Sequence, residues 1–330
     1  MIEFLSDSNW LSPQIDFLVY LQNIRLSHSD IFNKFFLSVT VFGEVWLPSL
    51  ICAIVYWCFS TRNGMYLFSV YGTNVILAQL FKLIACVYRP WVLDSKVKPI
   101  ESALNFAKSY SFPSGHSGTA SSVLGGVAFI LSRYKILVCL LVLLTFTVGF
   151  SRMWLGVHTP QDVIVGLTLG FILVFVFNPV INWAEKNKNN YLYLLGGIDI
   201  FAILSLIYVY FFNYYPTDYV DGKILVDFYH AIHTATIFYG YVLGLINGAF
   251  ICRKFFPFEA SEGSIKTRVI RGFLGVAILL FLLKLPVQIV LDGSYSNKIS
   301  FISVFIFGFI ITAVYPLIFT RVENLFKTSK

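Results

Sequence analysis

The chain is 330 residues long, 57% hydrophobic and only 12% charged. A water-exposed globular fold of that size carries roughly a quarter of its residues as charges, so a soluble protein is excluded. The net charge of +7 does not indicate nucleic acid, because the basic residues are scattered through short loops and form no stripe or arm.

Ser12-Pro13 reads as a helix cap followed by a first-turn proline. Beyond it Ile15, Leu18, Leu21 and Ile24 recur at helical spacing among Gln14, Asp16, Gln22 and Asn23, which predicts an amphipathic helix at the membrane interface. The opening 30 residues lack the apolar core of a cleavable signal peptide, and a multi-span protein can insert by its first helix. Apolar runs long enough to cross a bilayer follow at 34–59, 64–88, 115–132, 135–154, 162–183, 191–212, 228–251, 269–292 and 299–320. The expected fold is all-α, a polytopic integral membrane bundle of about nine transmembrane helices plus the N-terminal amphipathic helix. Its parts are an N-terminal extracytoplasmic segment (1–33), a core (34–212) and a three-helix C-terminal extension (213–330). The seventh run is the most polar, because it holds His230, His233 and Asn247. Cys52, Cys58, Cys86, Cys139 and Cys252 lie in or beside apolar runs with no C-x-x-C spacing and read as small buried apolar residues.

The loops that follow the odd-numbered runs are shorter and denser in Lys and Arg, which places them in the cytoplasm. The N-terminus is then outside and the C-terminus inside. Three short segments fall together on the outer face: Lys82-x6-Arg89-Pro90, Pro113-Ser114-Gly115-His116, and Ser151-Arg152-x5-His158-x3-Asp162. Each has an ordinary explanation alone. Lys82 and Arg89, two turns apart, make a basic helix end stopped by Pro90. Ser114 is a helix cap. Asp162 stands three residues after Thr159, where a capping box puts its acid. Each also has a chemical use. An Arg fork and a Lys suit phosphate oxygens. Free backbone N–H groups at Gly115 make an anion seat. Asp162 is close enough to His158 to fix its tautomer. Order, spacing and membrane side agree for all three, and the ordinary explanations predict no such agreement.

These segments resemble the signature of the type 2 phosphatidic acid phosphatase family, which includes glucose-6-phosphatases, sphingoid-base-phosphate phosphatases and vanadium haloperoxidases. The resemblance covers Lys82 to Asp162, with every signature position occupied. The stretch Arg89-Pro90-Trp91-Val92-Leu93-Asp94 and the nine-span layout further resemble glucose-6-phosphatases. Ser151 to His158 also resembles the sphingoid-base enzymes. The resemblance implies a hydrolase without cofactor or metal. His158 attacks phosphorus, Asp162 orients it, and His116 protonates the leaving oxygen. Lys82, Arg89, Arg152, Ser114 and Gly115 hold the phosphate oxygens. The implied partner is a phospholipid or polyprenyl phosphate among membrane lipids: a polyprenyl diphosphate, phosphatidic acid, phosphatidylglycerophosphate or sphingoid-base phosphate. The implied site is the plasma membrane, with the active face extracytoplasmic. A soluble phosphomonoester such as glucose 6-phosphate is the alternative substrate, and a phosphate-binding transporter the alternative class.

Two charges inside apolar runs, Glu44 and Lys284, are candidate pocket residues. Glu44 either pairs with a motif cation or is held within the bundle; Lys284 either meets a head group or snorkels outward. His230 and His233 are candidates for the pocket mouth, with a metal site including Asp227 the weaker alternative.

Overall fold

The computed structural model describes residues 8–28, 30–104, 107, 109–211, 215–216, 219–220, 223–284 and 296–328. These are helical apart from loops and one hairpin of two-residue strands, β1 (Tyr219–Val220) and β2 (Lys223–Ile224), a small addition to the expected all-α fold. The helices are α1 (Ser8–Ser27), α2 (Ile31–Thr40), α3 (Trp46–Ile54), α4 (Thr61–Ala85), α5 (Pro90–Leu93), α6 (Glu101–Leu104) and α7 (Gly115–Ile130). They continue as α8 (Lys135–Trp154), α9 (Pro160–Glu185), α10 (Lys188–Phe211), α11 (Phe228–Phe255), α12 (Ile265–Lys284), α13 (Asn297–Phe309) and α14 (Tyr315–Thr328).

Among the described residues, 6 helical stretches are long and apolar enough to cross a membrane, or 7 if the bent pair Ile31–Gly43 and Trp46–Phe59, broken by 52°, counts as one. The nine expected runs divide accordingly. The first is that bent pair. The third is α7, whose 16 residues reach only about 24 Å, short of a bilayer core of about 30 Å. The eighth begins in α12, and its remainder, 285–292, lies outside the described residues.

Two compact units divide the chain. The first comprises Met1–Pro48, Asn74–Val174 and Ser205–Ala235. Its centre is α7, buried along Ser117–Ala128 except at Val127. The helix is rich in Gly, Ser and Ala, so neighbouring backbones come close. A Cβ on Gly166 of α9 would lie 2.5 Å from the Ser114 carbonyl, and one on Gly170 would lie 2.6 Å from the Gly118 carbonyl. The buried Ser121 and Ser122 hydroxyls donate back to the carbonyls of Gly118 and Thr119, so their burial leaves no orphan hydroxyl.

α1 begins at or before Ser8, so Pro13 sits inside the helix and does not open it. Its stripe of Leu11, Ile15, Leu18 and Leu21 is buried on protein, Ile15 and Leu18 against Val97, and Leu21 in a cluster with Leu155 and Val157. The Gln22 amide donates to the Lys96 carbonyl at 3.1 Å, and Arg25 donates to the Trp154 carbonyl at 2.9 Å. The Gln161 N–H donates to Gln14 Oε1 at 2.9 Å, which ties α1 to the start of α9. Trp10, Phe17, Tyr20 and Leu26 remain exposed, so a second apolar face is left for the interface.

The second unit comprises Ser49–Thr73, Phe175–Leu204 and Thr236–Lys330. Gly240, Gly244 and Gly248 of α11 recur every fourth residue and bring its backbone against α13. A Cβ at Gly244 would lie 2.1 Å from the Phe305 carbonyl. Asn247, a polar residue of that helix, donates to Asp199 of α10 at 2.8 Å and to the Leu243 carbonyl at 3.0 Å. The buried Arg271 forms a two-point ion pair with Glu323 at 3.0 and 2.7 Å, donates to the Trp57 carbonyl at 2.8 Å, and lies over the Phe319 ring. Cys52, Cys58 and Cys252 are buried as expected, but Cys139 is exposed on the outward face of α8.

Candidate active site

All three motifs lie in the first unit, carried by the ends of α4, α7, α8 and α9. α4 does not run on to Pro90. It ends at Ala85, Cys86 takes a left-handed conformation (φ 49°), and Arg89 is extended (φ −71°, ψ 153°). Lys82 and Arg89 therefore do not share a helix face, and Pro90 opens the short α5 where it was expected to stop a longer helix. The break turns Arg89 inward. Its Nε donates to the Ser109 carbonyl at 2.8 Å, and its Nη1 donates to the Val157 carbonyl and lies 2.9 Å from His158 Nε2. Lys82 Nζ donates to the Tyr110 and Ser111 carbonyls, both at 3.0 Å.

α7 opens on Ser114, which adopts the extended cap conformation and accepts from the Ser117 N–H. Its hydroxyl also accepts from Ser117 Oγ at 2.8 Å, so its own proton is used in neither bond. A Cβ built on Gly115 would meet nothing within 4 Å, so open space faces the free N–H groups of this helix start. His116 follows; its Nε2 is buried and has no partner among the described residues.

α8 ends at Trp154, and the left-handed Gly156 (φ 74°) redirects the chain so that His158 precedes α9. A Cβ at Gly156 would also lie 3.1 Å from the Pro99 Cα. Asp162 performs both duties expected of it. Its Oδ2 accepts from the Thr159 N–H at 2.9 Å, closing a capping-box bond, and lies 3.2 Å from His158 Nδ1. The Ser111 hydroxyl donates to the same oxygen. With Nδ1–H directed at Asp162, the Nε2 lone pair faces Arg89. Burial first, then the positive charges of Arg89, Lys82 and Arg152, hold His158 well below the usual histidine range, so the ring is neutral at pH 7. Arg152, 2% exposed, donates from Nη1 to Thr40 Oγ1 at 2.7 Å, while its Nε has no partner among the described residues.

Lys82, Arg89, Arg152 and His116 all act electrostatically on His158, so these residues form one cluster. Glu44 joins it from the break in the bent pair. Its carboxylate acts on Arg152 and accepts from the Trp46 indole N–H at 2.9 Å. His230 and His233 sit on the first turns of α11, where Asp227 is engaged in capping through the N–H groups of Tyr229 and His230. Among the described residues no group of three or more His, Cys, Asp or Glu side chains is arranged to hold a metal. Lys284 ends α12, and its side chain lies outside the described residues. The sequence reading missed Ser111, Thr40 and the Tyr110 and Val157 carbonyls. None carries a pattern signal, because each contributes one or two polar atoms from a loop or a helix end.

The fold and site define an integral membrane protein with a buried cluster of three cations, two histidines and a carboxylate at helix ends. The PAP2 superfamily domain matches residues 63–186, and the PAP2 superfamily phosphatase transmembrane extension matches residues 236–327. The chain thus carries a PAP2 superfamily domain followed by that superfamily's transmembrane extension. It is 33% identical over 124 residues to phosphatidylglycerophosphatase B of Bacillus subtilis, covering 35% of this chain and 57% of that one. It is 30% identical over 133 residues to undecaprenyl-diphosphatase of Sulfolobus acidocaldarius, covering 40% of this chain and 61% of the relative. To lipid A 1-phosphatase of Rhizobium etli it is 32% identical over 108 residues, 32% of this chain and 45% of the relative. The matches thus span under two thirds of these relatives' own length. A crystal structure of a transmembrane PAP2-type phosphatidylglycerolphosphate phosphatase from Bacillus subtilis aligns with a TM-score of 0.45 at 24% identity, covering 56% of this chain and 91% of that one.

Proposed function

We propose that the protein is a membrane phosphatase that hydrolyses a lipid phosphate or diphosphate through a phosphohistidine. The observation that carries this is the orientation of His158, with Nδ1 at Asp162 and Nε2 at Arg89. That is the tautomer a nucleophilic imidazole needs. Nε2 attacks phosphorus and the bond from phosphorus to the leaving oxygen breaks. That oxygen takes a proton from His116. In the second half, His116 takes a proton from water as its oxygen attacks the phosphohistidine, and inorganic phosphate departs. Lys82, Arg89, Arg152, the Ser114 hydroxyl and the N–H groups at Gly115 hold the non-bridging oxygens. Phosphoryl transfer is mainly positioning and charge stabilisation, which this inventory supplies.

A lipid substrate is supported by the setting, helix ends among membrane spans, and by relatives whose names specify phosphatidylglycerophosphate, undecaprenyl diphosphate and lipid A. The loop charges support an extracytoplasmic active face, the N-terminus outside and the C-terminus in the cytoplasm; about nine spans in the plasma membrane are supported by the apolar runs, the third of which is the short α7. In that arrangement His230 and His233 belong to the pocket mouth and Lys284 to the outer half of span eight. The direct test is turnover of purified protein with a ³²P-labelled lipid phosphate, quenched in alkaline SDS. Acid-labile label on His158 is expected. Phosphate release from a His158→Ala protein at the native rate would refute the assignment.

A further inference from the structure

The turn Thr40–Trp46 lies outside the segment matched by the superfamily domain, yet it contributes two contacts and a carboxylate to the cluster. Thr40 accepts from Arg152 at 2.7 Å, and both side chains are buried. A Cβ on Gly43 would fall 2.7 Å from both the Cβ and the carbonyl oxygen of His116, so the turn's backbone lies flat against that residue and only glycine permits it. Glu44 follows in extended conformation (φ −75°, ψ 163°), with one carboxylate oxygen anchored by Trp46 at 2.9 Å. The site therefore has two ends. His158, Asp162, Ser111 and Arg89 make the nucleophile end. His116, Arg152 and Glu44 make the end where the leaving group departs.

We propose that Glu44 is a specificity-determining residue that favours a phosphomonoester over a diphosphate, with Thr40 as the positioning residue for Arg152. This rests on the phosphatase reading and narrows its substrate class. With His116 protonated as the acid, four positive charges stand against the two carboxylates of Asp162 and Glu44. A monoester dianion balances the excess, and its leaving group departs as a neutral alcohol carrying the proton of His116. A diphosphate releases a phosphate instead, bringing negative charge to the end where Glu44 already stands. Glu44 is half-buried, so its repulsion of a second negative charge is only partly screened by water.

Farnesyl phosphate and farnesyl diphosphate share a tail and differ in this respect alone. Wild-type protein should show the higher kcat/KM on the monophosphate. Glu44→Gln should raise the diphosphate-to-monophosphate ratio at least tenfold. Thr40→Val should raise KM for both substrates and leave the ratio unchanged, a split that general loss of folding does not produce. A diphosphate preference in the wild type, or an unchanged ratio in Glu44→Gln, overturns the proposal while the phosphatase reading stands. Folded wild-type protein that cleaves neither substrate overturns the phosphatase reading itself. If Glu44→Gln does not accumulate, inhibition of the wild type by inorganic phosphate and pyrophosphate makes the same comparison. Phosphate should bind more tightly, and pyrophosphate binding as tightly or more so overturns the proposal.

Discussion

Each unit buries arginine, and the two do so in opposite ways. In the second unit Arg271 is satisfied on every side, by both oxygens of Glu323, by backbone carbonyls and by the face of Phe319. In the first unit Lys82, Arg89 and Arg152 are as deeply buried, but among the described residues none makes an ion pair with a carboxylate within 4 Å. They lean on carbonyls, a threonine and a histidine. Withdrawing a cation from water costs several kcal/mol unless a partner restores the interaction. Arg271 has that partner within the chain. The three motif cations are left short of negative charge, which suits groups that wait for an anionic ligand.

The sharpest way to break this contrast begins with the nucleophile. His158→Ala should lower kcat by about 10⁴-fold or more while the protein still folds. Detergent thermal-shift and phosphate release, read together, check this. Next come the arginines as a matched pair. Arg152→Met should cost about 10²–10³-fold in kcat/KM and leave the melting temperature unchanged or raised, because it removes a buried charge lacking an ion-pair partner. Arg271→Met should do the reverse. It should destabilise by about 2 kcal/mol, below the usual figure for a broken buried pair because Glu323 is 21% exposed, and leave kcat per folded molecule unchanged. If both variants lose stability alike, the contrast fails.

Smaller effects sharpen it further. Ser111→Ala removes one of the bonds that fix Asp162, but the Thr159 N–H bond remains. About a tenfold loss in kcat with little change in KM is expected from steady-state kinetics. The pH profile carries a sign. His158 has its pKa depressed in the folded protein, so it stays neutral, and nucleophilic, through the range where a free histidine becomes charged. The acid limb of kcat/KM should therefore lie below pH 6.5. The same depression stabilises the fold fully above the unfolded value near 6.5, and that stability is lost as pH falls through the folded value. A limb at 6.5 or above would show that the ring is not held neutral.

Much of the site could be read from sequence because its chemistry sits at helix ends, and helix ends announce themselves. Thr159-Pro160-Gln161-Asp162 specified a capping box, and its Asp162 half is formed, while the Thr159 hydroxyl has no partner among the described residues. Ser114 was likewise a cap before Gly115. Where a side chain reaches its place through irregular backbone, the pattern misled. The periodicity continues from Lys82 to Arg89, but left-handed Cys86 breaks it, and no residue near it signals such a turn the way glycine or asparagine does. Ser12-Pro13 had the form of a cap, yet the helix runs through it. Glu44 was conspicuous as a charge in an apolar run, but its neighbour Arg152 is 108 residues away in the chain, a distance that spacing alone cannot cross.

Gly166 touches none of the reacting groups, yet it abuts the Ser114 carbonyl closely enough to exclude any side chain. Replacing it would push the α7 start and the α9 start apart and pull His116 away from His158. A loss-of-function screen would therefore rank this glycine beside the nucleophile. Only a parallel count of how much protein reaches the membrane would tell the hinge-pin from the blade.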